Sequence, residues 1–210
     1  DLRMSRGLGD VYKRQAYVHI PFCHRRCFYC DFAVIPLGNK VETLQGYGSK
    51  TVKEYLHFLY KEILSIKHKS SLSTIYVGGG TPSILDPQQI KQLIDLFKEN
   101  YGVDYGAEIT MEVDPASFNL DDLHGFINAG INRFSLGVQS FDNQILQKSG
   151  RRHLREDAEK SCLWLKKVYS AGLIKSWSLY LIQNLPLSGL REWKEDLKKA
   201  ITFSPPHISI

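Results

Sequence analysis

Nothing in this 210-residue sequence approaches the run of roughly 20 apolar residues that a spanning helix needs. A secretory signal is missing as well, so a reducing, cytoplasmic setting is the expectation, with peripheral contact the most a membrane would offer. Also absent are any block of about five like charges and any basic stripe interleaved with aromatics. The formal charge of +5 is therefore scattered and does not imply nucleic acid. It suits an anionic ligand such as a carboxylated tetrapyrrole, and a solvated basic face explains it equally well. Cysteine is scarce: of four, three crowd together, and three thiols cannot all pair off as disulfides. What remains is an ordinary globular composition, 43% hydrophobic and 23% charged, long enough for one well-buried core or two small domains. Oligomeric state is not legible.

The crowded thiols stand in Pro21-Phe22-Cys23-His24-Arg25-Arg26-Cys27-Phe28-Tyr29-Cys30-Asp31-Phe32. Cysteines spaced x3 and x2 converge on one small inorganic object only from a loop that a scaffold holds. An iron-sulfur cluster is the reading this donor set favours. A structural zinc site needs a fourth ligand, from His19, His24 or the distant Cys162, and unligated thiols are the remaining alternative. Cys162 falls on an apolar stripe with Ala158, Leu165 and Tyr169, and reads as a core thiol.

From Ala16 onward a short β-branched run, a loop and an amphipathic helix repeat. Strands are expected at 16–20, 74–77, 108–113, 133–138, 177–182 and 207–210. Asp86-Pro87 reads as an N-cap and first turn ahead of Ile90, Leu93, Ile94 and Phe97. Val52, Tyr55, Leu56, Leu59, Tyr60 and Ile63 form a second stripe, and Leu123, Phe126 and Ile127 a third before Gly130. Ser188 is expected to cap a helix carrying Leu190, Trp193, Leu197 and Ile201. Such alternation means a parallel sheet with right-handed crossovers, either doubly wound or a barrel. In both, ligands gather where strands end. The cysteine loop, Gly78-Gly79-Gly80-Thr81-Pro82, Glu112-Val113-Asp114-Pro115 and Gly137-Val138-Gln139 all sit at strand ends, which describes a site. Residues 1–15 lack apolar periodicity and read as a non-native leader, and the chain stops within a sixth strand, as a truncated domain would.

Three cysteines on a four-iron cluster leave one iron open, and an open position is where a small molecule binds. The triple glycine would let backbone amides approach that molecule, with Thr81 adding a hydroxyl. Glu112 and Gln139 suit amines or ribose hydroxyls, and Arg151 suits a carboxylate. His153 either orients Arg151 or caps the following helix.

Cys23-x3-Cys27-x-Tyr29-Cys30, preceded by Tyr17-Val18-His19-Ile20-Pro21-Phe22, resembles the signature of radical S-adenosylmethionine (SAM) proteins. The Gly-Gly-Gly-Thr-Pro, Glu-Val-Asp-Pro, Gly-Val-Gln-Ser-Phe and Gly-Arg-x-His segments, in this order over residues 16–210, are similar to the group holding oxygen-independent coproporphyrinogen III oxidase and the heme chaperone HemW. The resemblance implies an α/β fold, a partial (β/α)6 TIM-like barrel over a core domain of residues 16–210. It implies a [4Fe-4S] cluster on Cys23, Cys27 and Cys30, with SAM chelating the open iron. It further implies Tyr29 against the adenine, Gly79, Gly80 and Thr81 at the methionine end, and Glu112, Gln139 and Arg151 on SAM. Tyr17 matches a position that touches a second SAM in the oxidase branch.

Two departures carry weight. The group's fifth strand usually reads Asp-Leu-Ile-x-x-Leu-Pro with its Asp on SAM, and Tyr180 stands at that position here. The oxidase branch tends to carry a cysteine two positions after the last cluster ligand, where this chain has Phe32. Together with Arg25-Arg26 and Trp177-Ser178-Leu179, that favours the chaperone branch, with heme as cargo and heme-accepting proteins as partners. A His-Asn-x-x-Tyr-Trp segment implicated in heme handling there does not occur in this sequence. Oxidative decarboxylation of coproporphyrinogen III is the runner-up, and a zinc-binding scaffold module is the alternative of another class.

Overall fold

The computed structural model describes residues 14–38, 50–66 and 71–210. Residues 1–13, most of the expected leader, lie outside the described residues, but its last residue, Gln15, opens the first strand opposite Thr74 and Arg14 O accepts from Ser73 N at 2.9 Å, so the core starts before the expected residue 16. Along the chain come β1 (Gln15–Ile20), a two-residue pair β2 (Phe22–Cys23) and β3 (Ile35–Pro36), helix α1 (Lys50–Ser65) and β4 (Leu72–Gly79). Then follow α2 (Pro87–Asn100), β5 (Val103–Val113), α3 (Leu120–Asn128), β6 (Arg133–Gln139), α4 (Asn143–Lys148), α5 (Arg155–Ser170), β7 (Ser176–Leu181), α6 (Leu190–Thr202) and β8 (His207–Ser209). Six of the strands make one all-parallel sheet in the order β1-β4-β5-β6-β7-β8, with at least one helix in every crossover. A doubly wound sheet reverses direction at a switch point. This sheet never does, so of the two expected architectures it takes the partial barrel.

Alternation along the strands separates the two faces. Val18, Ile20, Ile75, Val77, Ile109, Met111, Phe134, Leu136, Trp177 and Leu179 are buried in one core with the helices. Their neighbours, Tyr17, His19, Tyr76, Thr110, Glu112, Arg133, Ser135, Ser178 and Tyr180, form the other face. A parallel sheet covered by helices on both sides would be apolar on both. The polar second face is therefore the inner wall of the barrel. Register fixes its rows: Glu112 lies beside Ser135, then Ser178, then His207, and Gly137 beside Tyr180, then Ser209.

The Asp86 carboxylate accepts from Gln88 N at 2.6 Å while the Gln89 side chain accepts from Asp86 N at 3.0 Å, a reciprocal cap worth about 1 kcal/mol. Ile90, Leu93, Ile94 and Phe97 then face the core as expected. The C-terminal helix departs from expectation. Its N-cap is Gly189, whose N–H donates to Glu192 at 3.0 Å, and Leu190 and Ile201 lie exposed. Of the expected stripe, Trp193 is buried and Leu197 packs against the core, while Asp196 and Ala200 face inward in place of the other two, the Asp196 carboxylate accepting from Phe141 N at 2.7 Å and tying α6 to the turn after β6. On α5, Cys162 is fully buried as expected, with Val168 taking the place foreseen for the half-exposed Tyr169.

Candidate functional site

At the C-terminal end of β1 the chain enters the cysteine loop across the glycines of β4. Gly80 N donates to Ile20 O and Thr81 N to Phe22 O, both at 2.8 Å. A Cβ on Gly79 would fall 2.8 Å from His19 Nδ1 and from Ile20 O, and one on Gly80 would fall 2.6 Å from Phe22 O and 2.8 Å from Cys23 Sγ. Gly79 also has φ of +120°, open to glycine alone. The amides foreseen as facing a ligand are thus committed, Gly79 N donating to Glu112 Oε2 at 3.1 Å. The glycines seat the loop, because no side chain leaves room for its incoming limb. Thr81 Oγ1 lies 3.5 Å from Cys23 Sγ.

The loop closes on itself. Ile35 N donates to Pro21 O at 2.6 Å, Leu37 N to Cys23 O at 2.8 Å and Gly38 N to His24 O at 2.9 Å, forming the β2–β3 pair. Between these limbs Cys30 N donates to Cys27 O at 3.1 Å, and Phe28 N reaches across to Ser149 O at 3.0 Å. All three loop thiols are half-buried, and burial pushes the Cys23 thiol above its ordinary value.

Behind Cys27 stands a largely buried charged pair. Arg151 Nη2 donates to the Asp114 carboxylate and, at 3.0 Å, to Gly137 O, while Nη1 lies 3.6 Å from Cys27 Sγ. Burial works against the Arg151 charge, yet Asp114, Tyr29 and Cys27 hold its pKa above the ordinary value. Burial likewise opposes the Asp114 carboxylate, but Arg151, His153 and the Ala116 N–H keep it below the usual carboxylate range. Tyr29 is pushed up by burial, and its hydroxyl bonds to Cys27. His153 Nε2 donates to Val138 O at 3.1 Å and Nδ1 accepts from Arg151 at 3.2 Å, so it orients Arg151 and caps nothing. Sequence reasoning missed Asp114 as the arginine's partner. Its signal was a carboxylate immediately after Val113, beside the strand-end residue Glu112.

On the inner wall Glu112 accepts from the Tyr76 hydroxyl at 2.7 Å as well as from Gly79 N. Tyr17 stacks on Tyr76 at 6.0 Å and is 60% exposed on this wall, so it is not the core aromatic that a first strand would ordinarily hold. Gln139 closes β6 in left-handed backbone, φ 65°, which folds its side chain back over Gly137. Tyr180, 38% exposed, faces the same space from β7. Two buried polar groups around Gly137 lack partners: the acceptor Gln139 Oε1 and the donor Arg151 Nε. In a protein interior such groups point to a missing partner.

The radical SAM superfamily model matches residues 17–184. The chain belongs to the radical SAM superfamily. It is 40% identical over 195 residues to a heme chaperone HemW from Synechocystis sp., covering 92% of this chain and 45% of that protein. To an oxygen-independent coproporphyrinogen III oxidase from Salmonella typhimurium it is 33% identical over 200 residues, 92% of this chain and 40% of that one. The solved structure of coproporphyrinogen III oxidase (HemN) from Escherichia coli, described as a radical SAM enzyme, superposes with a TM-score of 0.77 at 27% identity, covering 100% of this chain and 47% of the other. The chain thus spans about half the length of the relatives it matches.

Membership in the radical SAM superfamily implies a [4Fe-4S] cluster and SAM, and the donor set fits both. Among the described residues no three His, Cys, Asp or Glu side chains gather closely enough to hold a single metal ion. A cluster spreads its cysteines over separate irons, and three thiols on one seated loop suit it better than they suit zinc. The orphaned Gln139 Oε1 and Arg151 Nε, with Glu112 across the wall, offer acceptors and a donor to an amino-acid end or a ribose. Among the described residues no helix is long and apolar enough to cross a membrane.

Proposed function

We propose that this chain is the cluster- and SAM-binding barrel of a HemW-like heme chaperone. The observation that carries the reading is the cysteine loop seated on Gly79 and Gly80, with Arg151 reaching Cys27, Glu112 bonded to Gly79 and Gln139 folded over Gly137 at the neighbouring strand ends. Cys23, Cys27 and Cys30 would hold the cluster and leave one iron to SAM. Glu112, already anchored by Tyr76 and Gly79, presents its remaining lone pairs to the ligand. Gln139 and Arg151 add the orphaned acceptor and donor, while Gly79, Gly80 and Thr81 form the wall beside the cluster. Tyr29 shields the Cys27 side of the loop and flanks the adenine. Tyr17 lines the inner wall, where a second small molecule or part of a tetrapyrrole would lie. When bound, cluster and SAM supply one-electron chemistry in an enzyme, or in a chaperone a loaded state that modulates heme transfer. The core takes in β1 from Gln15, one residue earlier than the boundary expected, and the setting is cytoplasmic.

Support for the chaperone over the oxidase comes from Phe32 after the last thiol and from the higher identity to the Synechocystis chaperone than to the Salmonella oxidase. The oxidase reading keeps one specific support, the TM-score of 0.77 to the Escherichia coli enzyme. Iron and sulfide analysis after anaerobic reconstitution tests the cluster: both are expected in the parent and lost in Cys27→Ala, whereas zinc without sulfide would refute it. A version carrying the remaining half of its relatives' length then separates the functions. Heme handed to an acceptor is expected, and turnover of coproporphyrinogen III would overturn the chaperone.

A further inference from the structure

We propose that His19 is a positioning residue that braces the outgoing limb of the cysteine loop against the inner wall, with Tyr17 setting the tautomer in which it does so. The inference rests on the reading that Cys23, Cys27 and Cys30 hold a cluster. The incoming limb is held by the Gly80 and Thr81 amides, and the middle by Phe28 N and Arg151. Asp31, Phe32 and Ala33, between Cys30 and β3, lie exposed, and there His19 Nε2 meets Ala33 O at 3.0 Å. That bond ties the limb carrying Cys30 to the sheet.

The chemistry of the pair fixes the imidazole. A carbonyl oxygen only accepts, so Nε2 must carry the proton. In the neutral imidazole Nδ1 is then an acceptor, and Tyr17 Oη lies 3.0 Å away to donate to it. The Tyr55 hydroxyl donates to the His19 carbonyl, and the ring lies over Gly79, where a Cβ would be 2.8 Å from Nδ1. Ring, backbone and tautomer are thus each constrained, and neither nitrogen is left to ligate a metal. His19, which the sequence offered as a fourth zinc ligand, acts on the loop's backbone. Tyr17 extends the chain of contacts to the open inner wall, where it stacks on Tyr76, the hydroxyl donor to Glu112.

The test is loss of cluster absorbance from the anaerobically reconstituted chain under a chelator, in parent, His19→Ala, His19→Asn, His19→Gln and Tyr17→Phe. Removing the brace in His19→Ala should speed loss about tenfold, the lower end of what outer-shell partners of metal ligands contribute. Glutamine places an amide nitrogen near the position of Nε2 and should restore the parent rate. Asparagine is too short and should not. Tyr17→Phe should speed loss in the parent, whose imidazole can then carry its proton on either nitrogen, and have no effect in His19→Gln, whose amide always donates. Melting of the cluster-free chains should coincide. An unchanged rate in His19→Ala, equal rates for asparagine and glutamine, or a lower melting temperature that accounts for the loss would each overturn the brace. A parent that takes up no iron and sulfide would instead sink the cluster reading itself.

Discussion

His153 is expected to stay neutral in the folded protein far below the pH at which a free histidine charges, and stability should fall accordingly. The side chain is 1% exposed, and its Nδ1 faces the Arg151 guanidinium. Burial, which Arg151 reinforces and Asp114 opposes, lowers its pKa from 6.5 to about 4. Because the folded value lies below the unfolded one, the unfolded chain binds the proton first. The contribution is therefore fully present above about pH 6.5, is lost as pH falls towards 4, and amounts to about 3 kcal/mol in all. Between pH 7 and pH 5 the expected loss from this residue is about 2 kcal/mol. Asp114 acts in a later window, since its depressed pKa protects stability until pH drops below the ordinary carboxylate value. Urea unfolding of the cluster-free chain at pH 7 and pH 5, compared with His153→Gln, isolates the effect. The parent should lose about 2 kcal/mol more than the variant. Equal losses, or a His153 ring proton titrating near 6.5 by NMR, would refute the reasoning.

Asp114→Asn should destabilise the chain by about 3 kcal/mol in urea unfolding, because it leaves the Arg151 guanidinium buried without its counter-charge. Unchanged stability would mean that water already reaches Arg151. Gly80→Ala should leave far-ultraviolet circular dichroism intact yet lower the iron bound per chain on reconstitution, since the new Cβ would meet Phe22 O at 2.6 Å and Cys23 Sγ at 2.8 Å. Full iron content would show that the loop shifts at no cost. Tyr180→Asp places a carboxylate on the inner wall beside Gly137, and tighter SAM binding by anaerobic calorimetry is expected. Unchanged affinity would show that Tyr180 costs the site nothing.

What the sequence made legible is whatever a local pattern encodes. The strand-helix alternation carried the sheet, and Asp86-Pro87 carried its helix start to the residue, since capping is settled within four positions. The three thiols and the glycines closing β4 marked the site because few other folds need those residues there. On α6 the cap is Gly189 and not Ser188, and the expected stripe holds only at Trp193 and Leu197, because the Asp196 carboxylate accepts from Phe141 N, 55 residues away, and draws its side of the helix inward.

The partners inside the site were hidden for the same reason. A buried cation must be paired, so an Arg151 aimed at a ligand required a carboxylate behind it. Only the fold says that Asp114 stands there, at the end of a strand 37 residues away. The glycines show the converse. Read alone, Gly78-Gly79-Gly80 permits any close approach, and a ligand is the natural guest. In the fold the guests at Gly79 and Gly80 are the backbone of residues 20–23 and the His19 ring. The glycines therefore serve a ligand at one remove, by letting the loop that would carry the cluster come close enough to the wall that would carry SAM.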